Sequence, residues 1–504
     1  MKILFAASEA VPFIKTGGLG EVVGALSAAL KTAGHDVRLV LPKYRGMNRD
    51  IPSLTLLPFE LKIPIGTGEI PVRVFEAVFS PRFRAYLVDS PAHFDRDGVY
   101  GELGGREFPD NDLRFILLSH AVLKIAKAVG FRPDVVHTHD WQTGLVPVFL
   151  KTLYRSDPFF KPSSSVFSIH NIAYQGVFPK ETLGAANLPW SEFTAEKLEF
   201  YDRVNFLKAG LAYAHVISTV SPSYALETQR EDFGVGLDGF LKRRAGDYFG
   251  ILNGLDTAYW NPLRDPHLVR SYSAKKMIGR AACREDLQRN AGLELDTRAP
   301  VLGMVSRLDP QKGFDILLDI LEDFIGEGCQ AVFLGLGSPV YQAALRTLQR
   351  KYPGRVSVTT EFNEPLAHKI YGGADLFLMP SRFEPCGLGQ MIALRYGAVP
   401  VVTPTGGLKD TVIPVSSDGG DGVGFVADRV DTWAYRSALQ RAVRLFREQP
   451  DAWRALVQRG MALSFDWKES VRRYVDIYRL AQSKKRVELF VPSPPTGLRR
   501  SDGN

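Results

Sequence analysis

Residues 3–31 read ILFAASEAVPFIKTGGLGEVVGALSAALK: a short apolar run, a glycine-rich turn and a helical pattern. The apolar run Ile3–Ala7 predicts a buried strand, and Gly20–Lys31 predicts the helix that follows it. Glu9 interrupts the apolar run and a single lysine precedes it, so we expect a first strand here and not a targeting segment. A buried strand followed by a helix is the repeating unit of a parallel sheet covered on both faces.

The same alternation continues along the 504-residue chain. Further strands are predicted at Val37–Leu41, Ala85–Val88, Val135–Thr138, Val166–Ile169, Val216–Val220, Val301–Val305, Ala331–Leu334, Val356–Thr359, Leu376–Met379 and Val399–Thr403. Further helices are predicted at Asp110–Val129, Gly313–Ile325, Gly387–Tyr396 and Thr432–Phe446. One core rarely extends past about 250–300 residues. We therefore predict an α/β protein with two doubly wound domains that face each other across a deep cleft.

Turn signals mark the expected domain boundary. The segment 251–262, ILNGLDTAYWNP, contains Asn-Gly and Asn-Pro. We expect one domain over residues 1–252 and a second over 253–465. A helix at about 466–483 is expected to pack back on the first domain, and the basic tail 484–504 is expected to be disordered.

Composition narrows the class of protein. With 45% hydrophobic and 23% charged residues the chain is typical of a globular protein. The net charge is +7, but residues 484–504 alone carry five basic and two acidic residues. No basic patch interleaved with aromatic residues is visible in the sequence, so the charge does not indicate a nucleic-acid-binding protein. No stretch approaches the roughly 20 apolar residues of a membrane span. Cys283, Cys329 and Cys386 form no disulfide framework, so we expect a cytoplasmic protein.

Two segments of the chain resemble each other: Thr16–Glu21, TGGLGE, which we name the first glycine loop, and Thr405–Asp410, TGGLKD, the second glycine loop. Each follows a predicted strand and opens a helix, where open α/β sheets bind ligands. Glycines let the backbone approach a ligand, and a helix N-terminus favours an anion. Lys15 adds a positive charge beside the first loop. A tight turn without a ligand is the alternative interpretation.

The segment 135–145, VVHTHDWQTGL, ends a strand with polar residues. His137 and His139 point to the same side of the strand, so metal binding is one interpretation, although no third His or Cys cluster supports it. Asp140 is either a helix cap or a carbohydrate contact, and Trp141 suits stacking on a sugar ring. A structural role, a sugar contact and a metal site all remain open.

The segment 169–176, IHNIAYQG, ends the next strand in the same way. His170 and Asn171 therefore lie on the same edge of the predicted sheet as Asp140. A lone histidine also suits a structural role, and both interpretations remain.

The segment 306–313, SRLDPQKG, places Arg307 and Lys312 on one loop between a strand and a helix. Two cations at this spacing can neutralise the charge that develops on a leaving diphosphate. The alternative is a solvated basic loop.

The segment 380–390, PSRFEPCGLGQ, combines a carboxylate with a glycine-rich helix start. The backbone amides of residues 386–389 suit phosphate oxygens. Glu384 is then expected to bind sugar hydroxyls or to stabilise a developing cation. Cys386 as a nucleophile lacks a histidine partner in the sequence.

Seven motifs, in the order KTGGLGE, HTHDWQTGL, HNIAYQG, ILNGLDTAYWNP, SRLDPQKG, SRFEPCGLGQ and PTGGLKD, resemble the bacterial glycogen synthases and plant starch synthases over residues 1 to about 483. The resemblance implies the GT-B fold: an N-terminal Rossmann-like domain on the acceptor side and a C-terminal one that binds the nucleotide sugar. It implies a retaining transfer of glucose from ADP-glucose to the non-reducing end of an α-1,4-glucan such as glycogen, without metal or cofactor.

The resemblance also implies roles for individual residues. The implied catalytic residues are Glu384, His170, Arg307 and Lys312. The implied substrate contacts are Lys15, Gly17, Gly18, Tyr100, Asp140, Trp141, Asn171, Asn253, Cys386, Gly387, Leu388, Gly389, Thr405, Gly406 and Gly407. Glu21 and Gln142 depart from the family pattern, which commonly has Asp and His at these positions.

Three other functions remain open from the sequence. The first is another retaining GT-B transferase that uses UDP-glucose or a small acceptor. The second is a glucan phosphorylase carrying pyridoxal phosphate on a lysine. The third is a glucan-binding protein without turnover. Neither nucleic acid nor a membrane is expected as a partner.

Overall fold

The computed structural model describes residues 1–47, 51, 54–102, 106–416 and 420–490. The chain forms two compact units. Unit 1 comprises Met1–Ser218, Arg243–Tyr248 and the chain from Val471 onward, and unit 2 comprises Thr219–Lys242 and Phe249–Ser470. The segment Thr219–Lys242 therefore belongs to unit 2, although it precedes the expected boundary at residue 252. The sequence-based domain limits stay a prediction.

The strands occur throughout both units. They are β1 Lys2–Ala6, β2 Asp36–Pro42, β3 Leu54–Ile65, β4 Gly68–Ser80, β5 Phe83–Asp89, β6 Val135–His139, β7 Ser164–Ile169, β8 Val177–Pro179, β9 Glu199–Phe200, β10 Arg203–Asn205, β11 Val216–Thr219, β12 Tyr248–Gly250, β13 Val301–Val305, β14 Gln330–Leu334, β15 Val356–Thr359, β16 Leu376–Met379, β17 Val399–Val402 and β18 Phe425–Val426. Every strand predicted from an apolar run is present.

Most helices lie between strands, and the last three in the described part of the chain follow the final strand. They are α1 Gly18–Thr32, α2 Pro91–Phe94, α3 Asn111–Ala128, α4 Leu145–Lys151, α5 Thr182–Ala185, α6 Phe206–Tyr213, α7 Pro222–Glu227, α8 Glu231–Gly234, α9 Asp238–Arg243, α10 Ile278–Asn290, α11 Phe314–Gly326, α12 Pro339–Lys351, α13 Glu364–Gly373, α14 Gly389–Tyr396, α15 Gly406–Thr411, α16 Thr432–Glu448, α17 Pro450–Ala462 and α18 Trp467–Phe490. None of the helices among the described residues is long and apolar enough to cross a membrane.

The large sheet has the strand order β12-β11-β7-β6-β1-β2-β5-β4-β3. Strands β1, β2, β5, β6 and β7 pair in parallel. Strands β3 and β4 form an antiparallel hairpin at the edge. Apolar runs did not predict this hairpin because β3 is largely exposed, as an antiparallel edge strand can be. The first sheet is therefore mixed and not wholly parallel.

The sheet of unit 2 has the order β15-β14-β13-β16-β17-β18, and its neighbouring strands pair in parallel. Numbered from β13, this is the order 3-2-1-4-5-6 of doubly wound dinucleotide-binding folds. Helices α11 and α16 pack on one face and α13 and α14 on the other. Strands β14, β16 and β17 are buried throughout, because helices cover both faces.

Helix α18 continues past the expected end at residue 483 and includes the first part of the predicted tail. Lys484 in this helix pairs with Asp247 of unit 1. Tyr478 Oη lies 2.8 Å from His137 Nδ1 in β6, so the helix is anchored to the sheet of unit 1. The remaining predicted tail, residues 491–504, lies outside the described residues.

Candidate active site

Each sheet has a switch point, where the strand order reverses. In unit 1 it lies between β1 and β6, and in unit 2 between β13 and β16. Ligands of open α/β sheets bind beyond the carboxyl ends of the strands at such points. Most of the predicted site residues follow these strands or the adjacent ones: Lys15 after β1, Asp140 after β6, His170 after β7, Arg307 and Lys312 after β13, Glu384 after β16, and Thr405 to Gly407 after β17. Tyr100 follows α2 and Asn253 follows β12, the edge strand of the large sheet.

In unit 2 the two loops at the switch point meet in an ion pair. Lys312 Nζ lies 2.5 Å from Glu384 Oε2, and Ser381 Oγ donates to the same oxygen at 3.0 Å. The side chains of Lys312 and Glu384 are only 16% and 7% exposed. Gly313, at φ 68°, follows Lys312, and a Cβ there would lie 1.9 Å from the carbonyl oxygen of Pro380. Backbone packing between the loops therefore places the ammonium on the carboxylate.

Arg307 lies on the same loop as Lys312 but is half exposed. Its Nη2 donates to Gln311 Oε1 at 3.2 Å, and Gln311 Nε2 donates to the carbonyl oxygen of Phe383 at 3.2 Å. Gln311 thus connects Arg307 to the loop that carries Glu384. The two predicted cations belong to one cluster with Glu384, Lys312 inside it and Arg307 at its edge.

The second glycine loop packs directly on the loop of Glu384. The amide of Gly407 donates to the carbonyl oxygen of Glu384 at 3.0 Å. A Cβ at Gly406, whose φ is 44°, would lie 2.0 Å from that oxygen, and one at Gly407 would lie 2.1 Å from the carbonyl oxygen of Cys386. These positions require glycine because two backbones are in contact.

Glu227, at the end of α7, was not identified from the sequence. Its Oε1 accepts from the amide of Gly406 at 2.8 Å, and Thr405 Oγ1 lies 3.4 Å from its Oε2. Burial raises the pKa of the Glu227 carboxyl. Ser223 in the same helix donates from its amide to Asp410 Oδ2 at 2.8 Å. Helix α7 therefore supports both ends of the second glycine loop.

Cys386 is buried and makes a hydrogen bond with Asn253. Burial raises the pKa of its thiol to about 12, so the thiol is neutral at physiological pH and does not suit a nucleophile. Gln390 Nε2 donates to the carbonyl oxygens of Cys386 and Gly387 at 2.9 and 3.0 Å. These bonds hold the turn before α14, so Leu388 and Gly389 stand at the start of that helix.

In unit 1 Glu9 organises the first glycine loop. Its carboxylate accepts from the backbone amide of Thr16, from Thr16 Oγ1 at 2.8 Å and from the hydroxyl of Tyr100. Tyr100 is thereby tied to the segment that carries Lys15. Lys15 Nζ makes an exposed ion pair with Glu21 Oε1 at 3.2 Å. Glu9 is therefore a second residue that the motif pattern did not identify as part of the site.

Gly17 and Gly18 begin helix α1, with Gly17 at the cap. A Cβ built on either residue would meet no atom within 4 Å. The backbone at the start of α1 is accordingly open, which is the geometry that a close approach by a ligand requires.

Asp140, His170 and Asn171 lie together at the ends of β6 and β7. Asp140 has a left-handed backbone, at φ 55°, and its Oδ1 accepts from the amide of His170 at 2.7 Å. Burial raises the pKa of Asp140 to about 7. His170 Nε2 lies 3.0 Å from His139 Nδ1, and burial lowers the pKa of His170 to about 3. A strained backbone at Asp140 and a neutral imidazole at His170 thus lie at this edge of the sheet.

Trp141 lies inside unit 1, with 5% of its surface exposed. Its ring meets Phe115 edge-on with centroids 4.9 Å apart, and a Cβ at Gly176 would lie 2.4 Å from Trp141 Cε3. This placement favours the structural interpretation of Trp141, and the predicted sugar contact stays a prediction. In the described part of the chain no group of three or more His, Cys, Asp or Glu side chains could hold a metal ion.

The chain resembles known families along most of its length. Residues 2–243 match the model described as starch synthase catalytic domain, and residues 288–450 match the model of glycosyl transferases group 1. A glycogen synthase of Syntrophotalea carbinolica is 43% identical over 95% of this chain and 99% of its own. A glycogen synthase of Anaeromyxobacter dehalogenans is 45% identical, again over 95% and 99%.

Solved structures share the fold of this chain. The catalytic domain of starch synthase IV from Arabidopsis thaliana, bound to ADP and acarbose, has a TM-score of 0.89 and 32% identity over 96% of this chain and 99% of that one. A sucrose-phosphate synthase of Thermosynechococcus elongatus, at 18% identity and a TM-score of 0.59 over 95% and 98%, shares the fold. The expected fold and resemblance are confirmed: the chain is a GT-B glycosyltransferase and belongs to the glycogen synthase family.

Proposed function

We propose that this enzyme elongates an α-1,4-glucan such as glycogen by retaining transfer of glucose from ADP-glucose to the non-reducing end. The observation that carries the proposal is the buried Lys312–Glu384 pair at the switch point of unit 2, packed against the second glycine loop. The related Arabidopsis starch synthase domain binds ADP and acarbose, which supports an adenine nucleotide donor. We also propose a cytoplasmic location, which the three free cysteines support.

We assign the diphosphate of the donor to the cations of unit 2. Negative charge develops on ADP as the glycosidic bond breaks, and fixed positive groups stabilise that charge. Lys312 has three N–H donors, so it can bind a phosphate oxygen while it keeps its bond to Glu384. Arg307 supplies a second, more exposed cation, and the amides of Gly387 to Gly389 supply further donors.

We assign the sugar to Glu384. Its Oε2 is occupied by Lys312 and Ser381, whereas its Oε1 has no hydrogen-bond partner among the described residues. One oxygen therefore remains to accept from a sugar hydroxyl or to face the positive charge that develops at the anomeric carbon. The motif contains no second carboxylate of the kind that retaining hydrolases use, so we propose attack by the glucan O4 on the face that ADP leaves.

We assign Lys15, Tyr100, Asp140, His170 and Asn171 of unit 1 to donor, glucosyl or acceptor contacts. These roles come residue by residue from the family. The open backbone at Gly17 and Gly18 supports a close approach by a ligand at the first glycine loop. The low pKa of His170 supports a hydrogen-bonding role at neutral pH and not proton transfer.

The first test compares ADP-glucose with UDP-glucose. Nucleotide release is measured with glycogen as acceptor and no added metal, and transfer is followed by label in the polymer. We expect release and labelling with ADP-glucose. Faster transfer from UDP-glucose would leave the loop assignments unchanged and identify UDP-glucose, and not ADP-glucose, as the donor. No transfer to glycogen from either donor, with transfer to a small acceptor, would replace the acceptor.

The second test removes the carboxylate. Glu384→Ala is expected to lose nearly all turnover and still bind ADP, because the diphosphate contacts come from other residues. Ser381→Ala is the matched control, since it removes one hydrogen bond to the same oxygen and leaves the ion pair. If Glu384→Ala retained more than a tenth of the wild-type kcat, Glu384 would have no place in the mechanism.

A further inference from the structure

His139 and His170 end neighbouring strands of unit 1 and bond to each other through their rings. His139 Nδ1 lies 3.0 Å from His170 Nε2. His139 is fully buried and His170 is 9% exposed. The ring of Phe5 stacks on that of His139, with centroids 5.2 Å apart and an angle of 22° between the planes. The pair is therefore held in a packed, buried layer, where the position of the proton on each ring decides which nitrogen donates.

Both imidazoles are neutral. Burial lowers the pKa of His139 well below its ordinary value and that of His170 to about 3. The nearby carboxyl group of Asp140 accepts from the backbone amide of His170, and among the described residues it makes no hydrogen bond with either imidazole ring. A neutral imidazole carries one N–H, so one of the two facing nitrogens donates and the other accepts.

The surroundings of His139 decide which nitrogen donates. Its Nε2 is buried and has no hydrogen-bond partner in the part of the chain that the structure describes. A proton on that nitrogen would be a buried N–H without an acceptor, which is the rarer and costlier kind of unsatisfied group. The proton of His139 therefore belongs on Nδ1, which donates to His170 Nε2. The proton of His170 must then be on its Nδ1.

We propose that His139 is a positioning residue that fixes His170 in its Nδ1–H tautomer, so that His170 presents a hydrogen-bond donor to a sugar oxygen. This inference rests on the proposed function, which assigns His170 to the glucosyl group. It extends that assignment, because it specifies that His170 acts as a neutral hydrogen-bond donor. His139, which bonds to His170, itself makes no contact with substrate.

The tautomer can be measured without turnover. The full-length chain, labelled with ¹⁵N at histidine, is studied by long-range ¹H–¹⁵N correlation, and His170 is assigned by loss of its signals in His170→Asn. The expected pattern is protonated Nδ1 and bare Nε2 in both His139 and His170. A proton on Nε2 of His170 would overturn the proposal, whatever the donor and acceptor of the enzyme prove to be.

Variants then test what the bond does. In His139→Asn an amide nitrogen is bonded to Cγ, as Nδ1 is in histidine, so the side chain can still donate to His170. We expect its kcat to be within about threefold of wild type. His139→Leu fills the space without a donor, and we expect kcat to fall about tenfold, the value of one or so hydrogen bonds. Equal losses in both variants, or none in His139→Leu, would contradict the proposal.

His137→Asn is the matched control for damage to the packed layer. His137 lies against His139, with ring centroids 4.1 Å apart, but bonds to Tyr478 and Ser168 instead of His170. Its replacement is expected to leave the His170 tautomer unchanged. A shift of the His170 signals in this variant equal to that in His139→Leu would show that packing, and not the His139–His170 bond, sets the tautomer.

Discussion

The two glycine loops have nearly the same sequence and different construction. In each, the threonine hydroxyl bonds to a glutamate from elsewhere in its unit: Thr16 to Glu9 and Thr405 to Glu227. The glycines of the second loop lie against backbone carbonyls, whereas a Cβ on Gly17 or Gly18 of the first would meet nothing within 4 Å. The same motif thus uses glycine once for backbone packing and once to leave space.

The ion pairs beside the two glycine loops differ in how deeply they are buried. Lys15 pairs with Glu21 at 3.2 Å, with both side chains about a third exposed. Lys312 pairs with Glu384 at 2.5 Å, and both are largely buried. Exposed pairs contribute little to stability, whereas a buried charge left without its partner is costly. Unit 2 is therefore organised before a ligand arrives, and the first loop is open to one.

The largest expected effect is on stability, from replacing a glycine of the second loop that is needed for backbone packing. In Gly407→Ala the new Cβ would lie 2.1 Å from the carbonyl oxygen and 2.5 Å from the Cα of Cys386. The backbone of the Glu384 loop would have to move, so we expect a loss of about 3 kcal/mol or more in the free energy of unfolding. Denaturant-induced unfolding followed by circular dichroism measures it.

Gly18→Ala is the control in the first loop. Gly18 begins α1, so alanine there should be neutral or up to about 1 kcal/mol more stable. If the first loop approaches the donor as proposed, the same variant raises the KM for ADP-glucose. Equal stability in Gly407→Ala and Gly18→Ala would remove the distinction between the loops.

The next effect concerns the cations. Lys312→Ala and Arg307→Ala are each expected to lose about 10²–10³ in kcat, since each removes charge that stabilises the leaving diphosphate. Lys312→Ala should also lower the melting temperature, because Glu384 would be left buried without its partner. Steady-state kinetics and thermal unfolding of the same preparations separate the two effects. A loss of kcat below tenfold would exclude the residue from the mechanism.

Lys15→Ala tests the corresponding position of the first loop. Its ion pair with Glu21 is exposed, so the melting temperature should barely change. If the substitution weakens the enzyme, we expect a higher KM for the donor. A melting temperature lowered as far as in Lys312→Ala would mean that the first loop is as tightly organised as the second.

The sequence predicted the strands and the strand-end motifs, because buried parallel strands are uninterrupted apolar runs and their carboxyl ends carry the polar residues. It did not predict the β3–β4 hairpin, whose first strand is largely exposed. Glu227 was missed for another reason: it meets Gly406 across 179 residues, and no local pattern marks that contact. Trp141 has a motif position typical of a ligand contact, but neighbouring aromatic rings bury it.

Two carboxyl groups whose pKa burial raises make stability depend on pH, and the effect of Asp140 in unit 1 is the larger of the two. Burial raises its pKa to about 7 from 3.8, so the folded state holds its proton more tightly than the unfolded state. The free energy of unfolding should therefore fall as the pH rises from about 4 to 7, by on the order of 2–4 kcal/mol. Asp140→Asn, whose amide oxygen can still accept from the backbone of His170, should remove this dependence.

Thermal unfolding at pH 5 and pH 8 checks the prediction for Asp140. The control is Asp157→Asn, because a hydrogen bond from Lys127 lowers the pKa of Asp157. That substitution should leave the fall between pH 5 and pH 8 in place. An Asp140→Asn variant with the full wild-type fall would show that Asp140 is already ionised at pH 5 in the folded state.

The smallest effect is expected at Glu227, under the second glycine loop. Burial raises its pKa too, but Glu227 is only partly buried, so its contribution has the same sign as that of Asp140 and a smaller size. Glu227→Gln keeps an oxygen for the amide of Gly406 and should stabilise unit 2 slightly at pH 8 and not at pH 5. A variant less stable than wild type at pH 8 would show that the negative charge on Glu227 holds the second glycine loop, and that unit 2 depends there on charge as well as on packing.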